Sequence, residues 1–325
     1  MKVIEGLEKL QRLGTSVITI GNFDGVHIGH RKIIEEARKK AEELNATFVV
    51  LTFDPHPLFV LKPENINGLI TPLPVKKRIL EEMGVDVLVV LKFDETLRDS
   101  QPEVFFRKVL IDRIGVSAVI LGSDFRFGKD QKGNVELVET LSKKYGVFFK
   151  KIDPVTIDGE KVGSNKIRKL LLDGEIRRAN ELLGRPFTIV GKVVYGAGIG
   201  KKIGFPTANL AFLENQILPK NGVYVTETEF QGNYLPSVTN IGFKPTFNYN
   251  RICLETHILG FNQDIYGMEL EVRFYERIRD EQKFDSVEGL KTAIAEDISK
   301  ARAFLSRLQA NALFTKSTIS RSIPI

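Results

Sequence analysis

The chain has 325 residues, 42% hydrophobic and 27% charged, and its 47 Lys and Arg against 41 Asp and Glu give a formal charge of +6 at pH 7. That length allows a sizeable core and points to two domains, while no apolar run approaches the ~18–20 residues of a membrane span. One cysteine, Cys253, excludes a disulfide framework, and the N-terminus, with Glu5 and Glu8, has no secretory pattern, so a cytoplasmic protein is expected.

Residues 17–21 form a short apolar strand that runs straight into Gly21-Asn22-Phe23-Asp24-Gly25-Val26-His27-Ile28-Gly29-His30. After it, Ile33, Ile34, Ala37, Ala41 and Leu44 recur at helical spacing as far as Asn45. Strands at 47–53, 87–93, 118–122 and 147–151 then alternate with helices at 75–83, 103–114 and 135–145. Such alternation marks a parallel sheet covered by helices on both faces, with ligands at the carboxyl ends of its strands. Three loops fall there: 21–30, the Asp54-Pro55-His56-Pro57 loop, and 122–128.

In the first loop Gly21, Gly25 and Gly29 let the backbone approach a ligand, and the helix start offers free N–H groups to an anion. His27 and His30, three residues apart, project from one side, which suits charge stabilisation on a polyphosphate. They also fit a plain helix cap, or two metal ligands, though a zinc site needs further partners that this loop lacks. The loop at 122–128 is either a turn with two packed aromatics or a ligand loop carrying Phe125 and Arg126. Lys161-Val162-Gly163-Ser164-Asn165-Lys166-Ile167-Arg168 opens another helix, with Ser164 as its expected N-cap.

Near Gly184-Arg185-Pro186 the apolar period changes from helical to alternating. Strands at 188–194, 223–228, 234–241, 252–259 and 269–275 describe a small antiparallel barrel of five or six strands. An amphipathic helix capped by Ser286 follows, and from 311 to 325 a polar tail is expected to be poorly ordered. The expected domains are therefore 1–184 and 185–310, with the tail beyond.

In the barrel half Gly196, Gly198, Gly200 and Gly204 lead into Phe205-Pro206-Thr207-Ala208-Asn209. The glycines allow a tight loop against phosphates, and the Thr207 hydroxyl and Asn209 carbonyl are hard oxygen ligands suited to Mg²⁺. A ligand-free glycine turn is the other reading. At 252–258 alternation puts Cys253, Glu255 and His257 on one strand face, where Glu255 either meets solvent or serves as a general base.

The letters H-I-G-H at 27–30 resemble the motif of the nucleotidyltransferase superfamily, and the whole string 21–30 resembles the adenylyltransferase half of bacterial bifunctional riboflavin kinase/FAD synthetases. G-F-P-T-A-N-L (204–210), N-I-G-F-K-P-T-F (240–247), E-T-H-I-L (255–259) and R-D-E-Q-K-F (279–284) resemble the successive motifs of riboflavin kinase. The resemblance covers roughly 15–305. It implies a Rossmann-like α/β nucleotidyltransferase domain, then a β-barrel kinase domain with a C-terminal helix. The implied substrates are ATP, riboflavin and FMN, with Mg²⁺ accompanying ATP and FAD as the final product.

By the same resemblance Gly21, Phe23, Asp24, His27, His30, Ser164 and Arg168 would hold the ATP that is adenylylated onto FMN, with the two histidines catalytic. His56, Asp124, Phe125, Arg126 and Lys161 would meet the flavin there. In the kinase half, Gly200, Gly204, Phe205, Pro206, Thr207 and Asn209 would bind ATP, with Mg²⁺ on Thr207 and Asn209. Glu255 would be the catalytic base and Arg279 would lie near the flavin.

Gly163 and Asn165 stand where that family usually has hydroxyl residues, so a kinase with an impaired adenylyltransferase half is an alternative. A tRNA synthetase would need a K-M-S-K-S-like loop and an anticodon-reading domain, neither of which is visible. A basic RNA-binding protein would need a one-sided cationic face, whereas Arg38-Lys39-Lys40 stands beside Glu42-Glu43 and Arg177-Arg178 beside Glu175. No nucleic-acid or membrane partner is expected.

Overall fold

The computed structural model describes residues 1–320 apart from 66, 197, 214, 247 and 248, and the first half of the chain builds one parallel sheet. Its strands are β1 (Lys2–Glu5), β2 (Ser16–Ile20), β3 (Thr47–Asp54), β4 (Val87–Lys92), β5 (Val116–Gly122) and β6 (Phe148–Ile152), in the order 1-4-3-2-5-6. Val17, Ile18, Val49, Val50, Leu51, Leu88 and Val89 are wholly inaccessible, as strands covered on both faces must be. The edge strand β1 escapes sequence reading because only Ile4 of its four residues is buried.

Helices α1 (Ile28–Leu44), α2 (Leu73–Glu82) and α3 (Val135–Tyr145) belong to the layers around this sheet. On α1, Ile34, Ala37 and Ala41 turn inward, while Arg38 pairs with Glu42, Lys39 with Glu36 and Lys40 with Glu43 along the wet side. The helix expected at 103–114 is α-helical over Pro102–Phe105 and widens to π-type turns over Phe106–Ile114. β2 lies between β3 and β5, so the chain winds one way through β3 and β4 and returns on the other side with β5. Strand order thus reverses at the carboxyl end of β2, where open sheets of this kind bind ligands. Gly21 to His30 leaves the sheet at that point.

The chain forms two compact units, Met1–Ile167 with Leu182–Gly184 and Arg168–Glu181 with the chain from Arg185 onward. This differs from a single cut after 184. Helices α4 (Ser164–Asp173) and α5 (Ile176–Leu183) give most of their length to the second unit. The Asn180 amide explains it, donating to the Phe274 carbonyl at 2.8 Å and accepting the Phe187 N–H at 2.7 Å. Lys220 N–H bonds the Leu171 carbonyl, and Arg177 pairs with Glu276.

In the second unit β7 (Phe187–Val194), β8 (Ala208–Phe212), β9 (Gly222–Phe230), β10 (Asn233–Thr246), β11 (Tyr249–Ile258) and β12 (Glu269–Arg279) close an antiparallel barrel in the order 7-8-11-10-9-12. The sixth strand is Ala208–Phe212, part of which reads in sequence as a ligand loop. Inside, a chain of hydroxyls, Thr256 to Thr239 to Thr226 to Ser237 to Thr228, runs at 2.8–2.9 Å with every member fully buried. Each hydroxyl needs its neighbour, because a buried polar group without a partner is costly, and a one-residue slip would turn a strand's share of them outward.

Helix α6 (Val287–Ser320) closes the unit, packing Ala301 and Leu305 against Val223, Val225 and Val238. Ser286 caps it as expected, its Oγ accepting the Gly289 N–H at 3.1 Å. The backbone stays helical to Ser320, where the sequence reads a disordered tail from 311, and 321–325 lie outside the described residues. Asp297, buried on α6, accepts three bonds of 2.7–3.1 Å from Arg279. Replacing Asp297 with Ala strands that guanidinium and should destabilise the second unit by about 3 kcal/mol, read as a lower urea midpoint at unchanged slope.

Candidate active sites

Beyond Ile20 the backbone takes a shape held by close contacts. Phe23, Gly25 and Val26 have φ of 47°, 89° and 40°, so two non-glycine residues occupy the left-handed region, which stores strain. Phe23 folds its ring over Gly21, where a Cβ would meet it at 3.1 Å, and stands edge-on to His30 with centroids 5.3 Å apart. The buried Asp24 carboxylate accepts the N–H groups of Ile70 at 3.2 Å and Thr71 at 2.9 Å, tying the turn to the segment before α2. Ser164 is the first residue of α4, and its hydroxyl donates to the Asp24 carbonyl at 2.8 Å instead of capping its own helix.

His27 is the N-cap of α1, its Nδ1 accepting the His30 N–H at 3.3 Å. Nδ1 therefore carries the lone pair, and the ring proton sits on Nε2. The two imidazoles stack with centroids 3.6 Å apart, and Gly29 makes this possible, since a Cβ there would press on the His27 ring at 3.2 Å. Burial pulls His27 down to about 4, and pulls His30 well below the ordinary histidine range with help from neighbouring His27 and Lys76. The structure thus holds two neutral imidazoles at a helix start. The Nδ1 of His30 is buried without a partner among the described residues, an atom that a ligand would satisfy.

The positive charge here comes from a residue the sequence did not single out. Lys76, on α2 and 4% exposed, donates from Nζ to the Asn22 carbonyl at 2.7 Å and lies 3.5 Å from Thr52 Oγ1. Asp124 and Lys161, both exposed, pair at 2.8 Å, and exposed Arg126 donates to the Phe125 carbonyl at 2.9 Å. Arg168 is buried one turn beyond Ser164 and belongs to the second unit.

Two residues expected at the flavin also make packing or capping contacts. His56 is buried as the cap of the short helix Pro57–Leu61, its Nδ1 accepting the Leu58 N–H at 3.2 Å. Phe125 stacks on Phe127 with centroids 5.3 Å apart and packs on the core around Ile18 and Leu121. Among the described residues no three His, Cys, Asp or Glu gather to hold a metal.

In the barrel the glycine loop lies directly on the expected ligand residues. A Cβ at Gly196 would meet the Asn209 amide at 2.2 Å, and one at Gly200 would meet the Phe205 carbonyl at 2.3 Å and the Thr207 hydroxyl at 3.2 Å. Gly204 has φ of 92°, where a side chain would be strained. His257 Nδ1 lies 2.7 Å from the Pro206 carbonyl, which can only accept, so this nitrogen carries a proton. Its ring stands edge-on to Phe205.

Strand register places Glu255 opposite Asn209 on one side and Asn240 on the other. With Leu254, Thr256 and Ile258 buried inside, these three share the outer face of the barrel. Asn240 and His257 fall in motifs the sequence offered without a role. Arg279, expected near a flavin, is held by Asp297, and Phe247 of the N-I-G-F-K-P-T-F stretch lies outside the described residues.

The family model of FAD synthetase matches residues 9–166, and that of riboflavin kinase matches residues 183–305. Over 308 residues the chain is 37% identical to the bifunctional riboflavin kinase/FMN adenylyltransferase of Haemophilus influenzae, covering 94% of this chain and 100% of that one. Over 299 residues it is 38% identical to the enzyme of the same name from Bacillus subtilis, covering 90% and 94%. The chain belongs to the bifunctional riboflavin kinase/FMN adenylyltransferase family.

A crystal structure from Streptococcus pneumoniae described as a macrolide-efflux protein is also similar, with a TM-score of 0.85 and 32% identity over 93% of this chain and 99% of that one. Efflux is said of that protein, and no helix among the described residues here is long and apolar enough to cross a membrane. The chain is thus an enzyme with an FAD synthetase half and a riboflavin kinase half.

In the FAD synthetase half Gly163 faces open space, where a Cβ would meet nothing within 4 Å, so the missing hydroxyl leaves room and not a broken contact. The depressed His27 carries a pH signature. An unfolded chain protonates this histidine below ~6.5, the native state only below about 4. Stability from this source is therefore complete above pH ~6.5 and lost as pH falls toward 4, by about 3 kcal/mol in all. His27→Asn, which keeps a capping side chain, should flatten that part of the pH–stability curve measured by urea titration.

Proposed function

We propose that the kinase half makes FMN from riboflavin and ATP with Glu255 as base, and that the FAD synthetase half joins this FMN to the adenylyl group of a second ATP at the turn from Gly21 to His30. The outward row of Asn209, Glu255 and Asn240 beside the glycine cradle carries the first assignment. Glu255 takes the proton of the ribityl 5′-hydroxyl as that oxygen bonds to the γ-phosphorus, and the bond to the β-phosphate oxygen breaks to release ADP. Thr207 and Asn209, pressed by Gly200 and Gly196, offer hard oxygens that fit Mg²⁺. When bound, the ion would offset charge on the phosphates. His257 keeps the Phe205-Pro206-Thr207 turn in place through the Pro206 carbonyl.

At the other site a phosphate oxygen of FMN bonds to the α-phosphorus of ATP, and the bond to the β-phosphate breaks with its electron pair leaving on pyrophosphate. The nucleophile is already ionised, so no base is needed. His27, through Nε2–H, and His30 act as neutral hydrogen-bond donors to the phosphates at the helix start. Ser164 completes the ATP contacts, and Asp124, Arg126 and Lys161 stand on the flavin side. The chain's one cysteine, Cys253, fits the cytoplasm, where ATP is supplied.

Glu255→Gln should lower FMN formation ~10²–10⁴-fold while leaving FAD synthesis from supplied FMN intact. His30→Ala should do the reverse. Separating riboflavin, FMN and FAD by chromatography over time reads both, and loss of both activities from either folded variant would sink the assignment of two independent sites. FMN accumulating without FAD in the parent enzyme would leave only the kinase.

A further inference from the structure

Lys76 begins the run Lys76-Lys77-Arg78, three successive cations of the kind that ordinarily form a solvated helix face. Its neighbour behaves that way, Lys77 pairing at the surface with Glu5. Lys76 instead points inside, and an ammonium in the interior is costly unless acceptors or an anion hold it. The acceptors are the Asn22 carbonyl and Thr52 Oγ1, and the Thr52 hydroxyl itself donates to the same carbonyl at 3.2 Å. Asp24 and Asp54 favour the charged form, against burial, which lowers Lys76 from the ordinary lysine range. Asp24 nevertheless has both oxygens occupied by Ile70 and Thr71 N–H groups. The fold thus maintains a fixed positive charge at the root of the turn from Gly21 to His30.

We propose that Lys76 is a positioning residue for adenylyl transfer: it holds the Asn22 carbonyl, and with it the turn, in the shape that receives ATP phosphates, and supplies from beneath the positive charge that the stacked imidazoles lack. This rests on the assignment of that turn to ATP. The nucleophile and leaving group of the step are both anionic, so a cation fixed nearby lowers the energy of the crowded phosphorus centre without moving a proton. Lys76 acts through backbone and field and does not touch the substrate.

The test uses the full chain, which carries riboflavin phosphorylation as an internal control. Lys76→Met should slow FAD formation from supplied FMN and ATP ~10²-fold, comparable to losing one preorganised electrostatic group, with riboflavin phosphorylation within twofold of the parent. Lys76→Arg, which keeps the charge, should recover part of the loss. Lys76→Ala should regain activity with added propylammonium and not with propan-1-ol, which fills the same space without charge. FAD formation by Lys76→Met within threefold of the parent overturns the proposal. If that variant fails to fold, the alanine variant decides: recovery confined to the amine supports the proposal, and equal recovery with the alcohol, or none with either, overturns it. Should His30→Ala also leave FAD formation intact, the assignment of the turn has failed and not the role of Lys76 alone.

Discussion

Two imidazole rings 3.6 Å apart at the start of α1 cannot both become imidazolium cations without strong repulsion, and much of the local geometry of the first unit serves to keep them there, neutral. Gly29 clears the space for the His27 ring, the His30 N–H fixes its tautomer, and Phe23 closes the edge of His30. Asp24 binds the turn to Ile70 and Thr71 from one side while Ser164 donates to its carbonyl from another. What results is a set of oriented N–H donors that need no rearrangement to meet an anion. The strained backbone of Phe23 and Val26 persists because several independent contacts over-determine it.

The second unit solves its positioning problem by register. Five hydroxyls are buried in one chain inside the barrel, and pairing them leaves little freedom for the strands that carry them. Thr256 is one of them, so Glu255 must face outward, between Asn209 and Asn240. The glycine loop then needs only to lie close, which Gly196 and Gly200 permit and any side chain would prevent. Arg279 clamps α6 through Asp297.

Both the alternating order of the first unit and the barrel are legible in the sequence because their signals are periodic and local. Gly21, Gly25, Gly29, His27 and His30 were equally legible, since a turn between strand and helix concentrates its constraints in ten residues. Tertiary placement hid the rest. Lys76 is indistinguishable in sequence from Lys77, and only the packing of α2 sends one inward and the other to Glu5. Arg279 belongs to a motif, but its partner lies 18 residues away on a different element. Phe125 and Arg126 alternate along the chain, so one packs on Phe127 while the other faces solvent, and spacing alone does not say which. The short strand Ala208–Phe212 was masked by its own motif, because residues that serve a ligand also paired with β7 and β11.

The two sites differ as their reactions differ in proton demand. Transfer of a γ-phosphoryl group to a hydroxyl leaves a proton to be removed, and the barrel presents a carboxylate on a rigid strand flanked by two amides. Attack by a phosphate that is already ionised leaves no proton to remove, and there the chain has no need of a base. It presents imidazoles kept neutral by burial, the N–H groups of a helix start, and an ammonium sealed beneath the turn. A charged histidine pair would bind polyphosphate in a manner that varied steeply between pH 6 and 7, whereas imidazoles held below their ordinary range by burial stay neutral across it. Burial of the stacked rings therefore has one consequence: the hydrogen-bonding character of the imidazoles at the turn is set by the fold and not by the proton concentration around it.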